Sequence, residues 1–211
     1  MGSKKITEGL YAIHTMSVFF YAVTTPEGII LFDTGRSPKA ATRGLHKPGL
    51  NSNDVKHIFL THSDSDHAGG LGAFPQAKRY IAKAEEPMIN GTKGRWGFIH
   101  NKKINGCRLL ENNESLTLGD VEINLLHTPG HTVGSAVYLI NKKILVTGDL
   151  LRLSKKGAVL PFYMIMNMDH RQNKNSIKAI MPIIEKSDYI LTAHSGYMSR
   201  QERAEKSGFI C

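Results

Sequence analysis

Residues 61–70 read THSDSDHAGG and set His62, Asp64, Asp66 and His67 within six positions. Imidazole nitrogens and carboxylate oxygens are the donors that hold zinc, iron or manganese. Side chains alternate along an extended segment, so His62 and Asp64 project to one side. Asp66 and His67 fall at the turn into a following helix and can serve a neighbouring position, so one short loop can supply two adjacent ions. Three more candidates lie far downstream: His131 in a Thr-Pro-Gly-His-Thr turn, Asp149 after Gly148, and His194 after Ala193.

These residues share a local setting. Each follows a short apolar run of the kind that forms a buried strand, and binding groups concentrate where such strands end. Strands are expected at 10–14, 18–23, 29–32, 56–60, 78–81, 114–118, 121–126, 135–140, 143–146 and 189–192. Turns at Pro26-Glu27-Gly28, Gly119-Asp120 and Asn141-Lys142 separate some of them. Helices are expected at 38–45, 68–74, 83–89, 173–185 and 199–207, with Pro182 an irregularity near the end of the fourth. Strands and helices mixed in this order predict two mixed layers with helices outside, a single α+β domain over residues 1–211.

The motifs together resemble the metallo-β-lactamase superfamily of metal-dependent hydrolases. That family's signature runs His-x-His-x-Asp-His, then a Pro-Gly-His-Thr turn, then Gly-Asp, then a late His. Here the matching residues are His62, Asp64, Asp66 and His67, then His131, then Asp149, then His194, with an early Asp33-Thr34-Gly35 turn. The resemblance implies a four-layer αββα sandwich with a binuclear site at one sheet edge. It assigns His62, Asp64 and His131 to the first metal, Asp66, His67 and His194 to the second, and Asp149 to the bridge. It also gives Asp66 a catalytic part in orienting the attacking water. The implied reaction is hydrolysis of an ester, thioester, lactone or phosphoester by a metal-bound hydroxide, with a β-lactam set behind these.

Asp64 departs from the pattern, since most of the family has histidine there. It resembles the glutamate that flavodiiron oxygen reductases carry at this place. The resemblance implies two divalent ions, zinc first; the negative charge and harder donor that a carboxylate adds at Asp64 admit iron or manganese. A non-haem iron dioxygenase or oxygen reductase is the alternative function, and a metal-binding sensor without catalysis is the third. The bland reading of Asp64 is a solvated loop residue beside a single metal. That of Asp66 is the N-cap of a helix starting near Ala68. Asp33 reads as a turn residue supporting the metal loop, and Gly69 and Gly70 as close backbone packing beneath it. His14, His46, His57, His100, His127 and His170 read as core or surface histidines, with His127 supporting its loop.

Residues 93–108, KGRWGFIHNKKINGCR, hold the sole tryptophan, Trp96. They read as a solvated loop with one aromatic anchored in the core, and alternatively as a lid offering Trp96 to substrate. Residues 161–168, PFYMIMNM, give a pocket wall or core packing through Phe162, Tyr163 and Met164. Tyr163 and Tyr197 are candidate substrate contacts.

Composition sets the remaining expectations. The 211 residues are 41% hydrophobic and 21% charged, an ordinary soluble composition. No apolar run reaches the roughly 20 residues of a membrane helix. The start, MGSKKITEGL, has no signal-peptide core, and Ile6 stands where a myristoylation signal needs Ser or Thr. Two cysteines, Cys107 and Cys211, form no disulfide or zinc framework and read as inert, so a cytoplasmic setting is expected. The +9 net charge is spread along the chain, which argues against nucleic acid and for a small, anionic substrate.

Overall fold

A computed structural model describes residues 2–207. The first half contains β1 (Lys4–Thr7), β2 (Leu10–Thr15), β3 (Val18–Thr25), β4 (Gly28–Phe32), α1 (Pro38–His46), β5 (Val55–Leu60), α2 (Ser65–Ala68), β6 (Lys78–Ala82), α3 (Glu86–Ile89) and β7 (Cys107–Leu110). Its strands form a sheet in sequence order, β1 to β7. The pairing is antiparallel as far as β4 and parallel from β4 onward. The second half contains β8 (Ser115–Leu118), β9 (Val121–His127), β10 (Ala136–Ile140), β11 (Ile144–Gly148), β12 (Leu151–Leu153), β13 (Val159–Pro161), α4 (His170–Ala179), α5 (Met181–Lys186), β14 (Tyr189–Thr192), β15 (Gly196–Ser199) and α6 (Arg200–Ser207). Six of its strands make a second sheet, ordered β15-β14-β11-β10-β9-β8, while β12 and β13 form a separate ribbon.

The two-residue alternation of strand side chains builds three apolar interfaces from these sheets. Phe32, Phe59 and Tyr80 of the first sheet meet Val121, Ile123, Leu125 and Tyr138 of the second. Ile58 and Leu60, one position off, face the other way and pack with Ala41 and Leu45 of α1. Val137, Leu145 and Ile190 pack with Ile177 of α4 and with Ile180 and Ile184. The order helix, sheet, sheet, helix is the αββα sandwich.

Cross-sheet bonds fix the strand ends that matter. Tyr21 donates its buried hydroxyl to Thr192 O at 2.7 Å, and Tyr138 donates to Leu60 O at 2.8 Å. Ala136 N donates to Thr61 O at 2.9 Å, tying the start of β10 to the metal-motif loop.

Several elements differ from the expected ones. The helix expected at 68–74 instead begins inside the motif as α2, and a short 3-10 turn, Leu71–Ala73, follows it. Gly69 and Gly70, between the two, pack closely beneath the motif loop as expected: a Cβ at Gly69 would stand 2.2 Å from both Arg36 O and Ser65 O, and one at Gly70 2.2 Å from Thr34 O. The helix expected at 173–185 is two, α4 and α5, divided at Ile180 just before Pro182, which has no N–H to continue the ladder. Strands β1, β7, β12, β13 and β15 carry three or four residues each and are too short to stand out as apolar runs. Cys107 is a free, half-buried thiol on β7, and Cys211 lies outside the described residues. No helix of the described residues is long and apolar enough to cross a membrane.

Candidate metal centre

The ends of β5, β9, β11 and β14 deliver the candidate ligands to one rim. Asp149 follows Gly148, whose φ of +50° suits glycine and whose Cβ, if present, would come 2.5 Å from Thr61 Oγ1. The ligand atoms of His62, His131 and Asp149 lie within 4.8 Å of one another, as do those of Asp66, His67 and His194. Asp149 faces both groups. Its Oδ2 is 3.4 Å from His131 Nε2, and its Oδ1 is 3.5 Å from His67 Nε2 and 3.3 Å from His194 Nε2. Asp64 Oδ2 is 3.5 Å from His62 Nε2 and 3.3 Å from His131 Nε2. Asp66 Oδ2 is 3.4 Å from His194 Nε2 and 3.9 Å from His67 Nε2. Four donors placed tetrahedrally at zinc–nitrogen distances of about 2.0–2.1 Å stand about 3.3 Å apart, and most of these spacings lie near that value.

The far nitrogen of each histidine is committed elsewhere. His67 Nδ1 donates to Asp33 Oδ2 at 2.8 Å, and His194 Nδ1 donates to Ser17 O at 3.1 Å. His131 Nδ1 donates to Asn167 Oδ1 at 3.2 Å. His62 Nδ1 donates to Thr61 Oγ1 at 3.1 Å, whose own proton goes to Asp33 Oδ2 at 2.8 Å. Each Nε2 therefore faces inward and can ligate an ion that displaces any proton on it, the arrangement metal-ligating histidines show. His62 Nε2, His67 Nε2 and Asp149 Oδ1 are buried with no hydrogen-bond partner among the described residues. Buried polar atoms without partners are costly, and a cation held between them removes the cost. The residues fit a pair of divalent ions.

The charges follow from this crowding. Burial pushes the Asp149 carboxyl upward, but the imidazoles of His67, His194 and His131 outweigh it and hold it well below the usual carboxylate range. Burial likewise opposes ionisation of Asp66, and its bond to His194 and the charges of His67 and His62 win. For His194 burial favours the neutral ring, yet its bonds to Asp149 and Asp66 raise it to about 9.

Residues 15–194 match the family model for the metallo-beta-lactamase superfamily. The chain belongs to that superfamily. It is 26% identical to an N-acyl homoserine lactonase of a Bacillus species over 225 residues, covering 90% of this chain and 85% of the relative. A Mycobacterium tuberculosis protein named Probable metallo-hydrolase is 26% identical over 162 residues, and there the chain spans 51% of the relative's length. The fold also superposes on a beta-lactamase from Chitinophaga pinensis with a TM-score of 0.74 at 21% identity, covering 99% of this chain and 88% of that one. A B3 metallo-beta-lactamase described as the first with an active-site glutamic acid gives a TM-score of 0.70 at 20% identity, covering 99% and 88%.

Within this metallo-beta-lactamase-superfamily chain the structure also places residues that the motifs leave out. Asp64, at the N-cap position of α2, makes no capping bond. Its side chain is only 13% exposed, and its Oδ1 accepts from Asn101 Nδ2 at 3.0 Å. The solvated-loop reading of Asp64 is thereby corrected, as is the N-cap reading of Asp66, which lies inside the first turn of α2. Arg95 is 5% exposed. Its Nη1 donates to Asp64 Oδ2 and lies 3.1 Å from His131 Nε2, and its Nη2 donates to Met166 O. Burial raises the Glu85 carboxyl against the bonds it accepts. Those bonds come from Ser63 N, Ser63 Oγ, Thr132 Oγ1 and Gly134 N at 2.7–3.0 Å. Glu85 thus clamps the first motif loop to the His131 turn, which His127 Nε2 also supports through Val133 O at 3.0 Å.

The aromatic candidates separate. Phe162 is buried, its ring 5.2 Å from His131 and 5.4 Å from His194, and Tyr163 beside it is 53% exposed. Trp96 is 43% exposed and lies under the Arg95 guanidinium at 4.8 Å, so it is no core anchor. Tyr197 is not at the centre. Alternation along β15 turns it into the inter-sheet core, beneath the Lys4 ammonium at 5.4 Å, and it lines a separate hollow with Leu153 and Ser195.

Proposed function

We propose that the protein is a metal-dependent hydrolase that cleaves an ester, thioester, lactone or phosphoester of a small substrate at a binuclear centre. The observation that supports it most is the set of inward-facing Nε2 atoms around Asp149, whose two oxygens face the two ligand groups. His62, Asp64 and His131 would hold one ion, and Asp66, His67 and His194 the other, with zinc first among the candidates. When bound, such ions lower the pKa of water from 15.7 to about 7 and polarise a carbonyl or phosphoryl oxygen.

The chain's own residues do the rest. Asp33, Ser17 O and Asn167 hold the rings of His67, His194 and His131 in one orientation. The side chain of Asp66 keeps 19% exposure while the carboxylate of Asp149 is buried, so Asp66 would be the acid that orients an incoming water. Phe162 covers the inner face of the centre and excludes bulk water there.

The rim favours a substrate with an apolar part. Trp96, Phe98 and Ile99 on one loop, and Tyr163, Met164 and Ile165 on another, are all exposed, and the Arg95–Met166 bond joins the two loops. An anionic group on the substrate is supported by a cavity of about 580 Å3 beside Ser63 and Ser65, lined by Arg36, Arg79, Lys102 and Lys103. The relative named N-acyl homoserine lactonase makes an N-acylated lactone the first substrate class to assay.

The test is turnover of lactone, thioester, ester and phosphodiester panels by native, chelated and metal-restored protein, beside Asp149→Ala. Activity lost on chelation, regained with a divalent ion and absent in Asp149→Ala supports the reading. Turnover indifferent to chelation and to that substitution rejects it. Oxygen consumption measured in the same assays addresses the iron-based redox alternative, which Asp64's oxygen donor motivates.

A further inference from the structure

Asp64 is the chain's departure from the family signature, and Arg95 is the cationic side chain that reaches the ligand set among the described residues. We propose that the two belong together: Arg95 is a resident counter-cation that makes the metal positions unequal. The Asp66–His67–His194 position takes its ion tightly. The His62–Asp64–His131 position takes its ion weakly, in competition with the guanidinium for Asp64 Oδ2 and His131 Nε2. This rests on the binuclear reading above.

The geometry carries the argument. Arg95 Nη1 touches two ligand atoms of one position, whereas the outer contacts of His67 and His194 are the Asp33 carboxylate and a carbonyl. The proton of His131 Nδ1 goes to Asn167, so Nε2 has a single lone pair. That lone pair serves an N–H or an ion, not both. Charge points the same way. Exchanging a neutral imidazole for a carboxylate adds one negative charge, and a guanidinium, which keeps its proton in proteins, cancels it. The hard-donor bias of Asp64 is thereby blunted, and an ion entering this position meets a positive neighbour in a poorly screened interior.

Arg95 is also held in place. Its Nη2 is bonded to Met166 O and its guanidinium lies on the Trp96 ring. Its backbone closes a bridge with Ile99, N to O at 2.7 Å and O to N at 3.1 Å. Displacing it means opening the joint between the two rim loops, so filling of the weak position and movement of the rim are coupled.

The experiment is a Zn2+ titration of chelated protein by calorimetry with elemental analysis, together with thermal unfolding of the chelated forms. The proteins are the native chain, Arg95→Gln, and Asp64→His combined with Arg95→Gln. The native chain is expected to bind one Zn2+ tightly and a second at least roughly tenfold more weakly, the scale on which neighbouring groups tune metal affinity. Arg95→Gln is expected to tighten the second ion by a similar factor while lowering the melting temperature of the chelated protein, because Asp64 loses its cation. The double variant, which restores histidine without stranding a buried acid, is expected to bind two ions with closely similar affinities, and it decides the matter if the single variant does not fold. Two equal sites in the native chain overturn the proposal, as does a second ion that Arg95→Gln weakens or leaves unchanged. Uptake of no Zn2+ by any of the three removes the binuclear reading itself, and the proposal with it.

Discussion

Asp33 Oδ2 accepts a 2.8 Å hydrogen bond from His67 Nδ1, and the same carboxylate accepts from Thr61 N and Thr61 Oγ1, both at 2.8 Å. One buried acid at the end of β4, held at a φ of +63°, thus fixes both the motif loop and the tautomer of a candidate ligand. Aspartate tolerates this left-handed conformation better than most residues. Asp33→Ala is expected to weaken divalent-ion binding by about 10–100-fold, the usual effect of removing a ligand's supporting carboxylate. Equilibrium dialysis with Zn2+ measures it, and affinity within twofold of native would show that Asp33 does not orient His67.

Glu85 makes a separate prediction. Its carboxylate receives two N–H and two O–H donors from the motif loop and the His131 turn. Glu85→Ala strands all four, and bonds to a charged acceptor contribute about 1.5–3 kcal/mol each without adding fully. A loss of about 3 kcal/mol or more in urea unfolding is expected, with Glu85→Gln milder. A loss below about 1 kcal/mol would mean that water replaces the clamp.

The chelated protein has a definite pH profile. His194 rises from the ordinary 6.5 to about 9 in the fold, so its contribution is full below 6.5 and is lost as pH rises through 9. Asp66, Asp64 and Asp149 are depressed below 3.8, so theirs is present above that value and is lost as pH falls. Melting temperatures of the chelated form should therefore decline from pH 6.5 to 9.5. The metal-loaded form should show a flatter alkaline limb, since the ion replaces the proton on His194. Parallel alkaline limbs in the two forms would contradict this assignment.

What the sequence discloses follows from how each residue acts. His62, His67, His131, Asp149 and His194 sit at strand ends in recognisable turns, and the strands themselves are runs of branched and aromatic residues, so their neighbourhood is readable before folding. Arg95 and Glu85 are not readable in that way. Each acts across 31 or more positions, as Arg95 does on Asp64, or joins two distant loops, as Glu85 does for Ser63 and Thr132. In the chain they are one arginine in a basic segment and one glutamate in a pair. Tyr197 misleads for the opposite reason: nearness to His194 in sequence says nothing about face, and alternation along β15 decides it. The close backbone packing at Gly69 and Gly70 is tertiary, set by Arg36 and Thr34 more than 30 positions earlier.

The rim predicts a split between binding and chemistry. Phe98→Ala and Tyr163→Ala remove exposed aromatic surface from the two rim loops, so a substrate with an apolar tail should show KM raised several-fold with kcat changed little. Tyr197→Phe, on the far side of β15, should leave both constants at the native values. The reverse pattern across these variants would move the substrate away from the 95–99 and 161–168 loops.

Anomalous X-ray scattering from crystals grown with Zn2+, recorded on both sides of the zinc edge, tests the central claim most directly. Two peaks are expected, one among His62, Asp64 and His131 and one among Asp66, His67 and His194, with an oxygen of Asp149 on each and the first peak the weaker. Zinc bound only elsewhere on the chain, or no peak at either ligand group, would contradict the account.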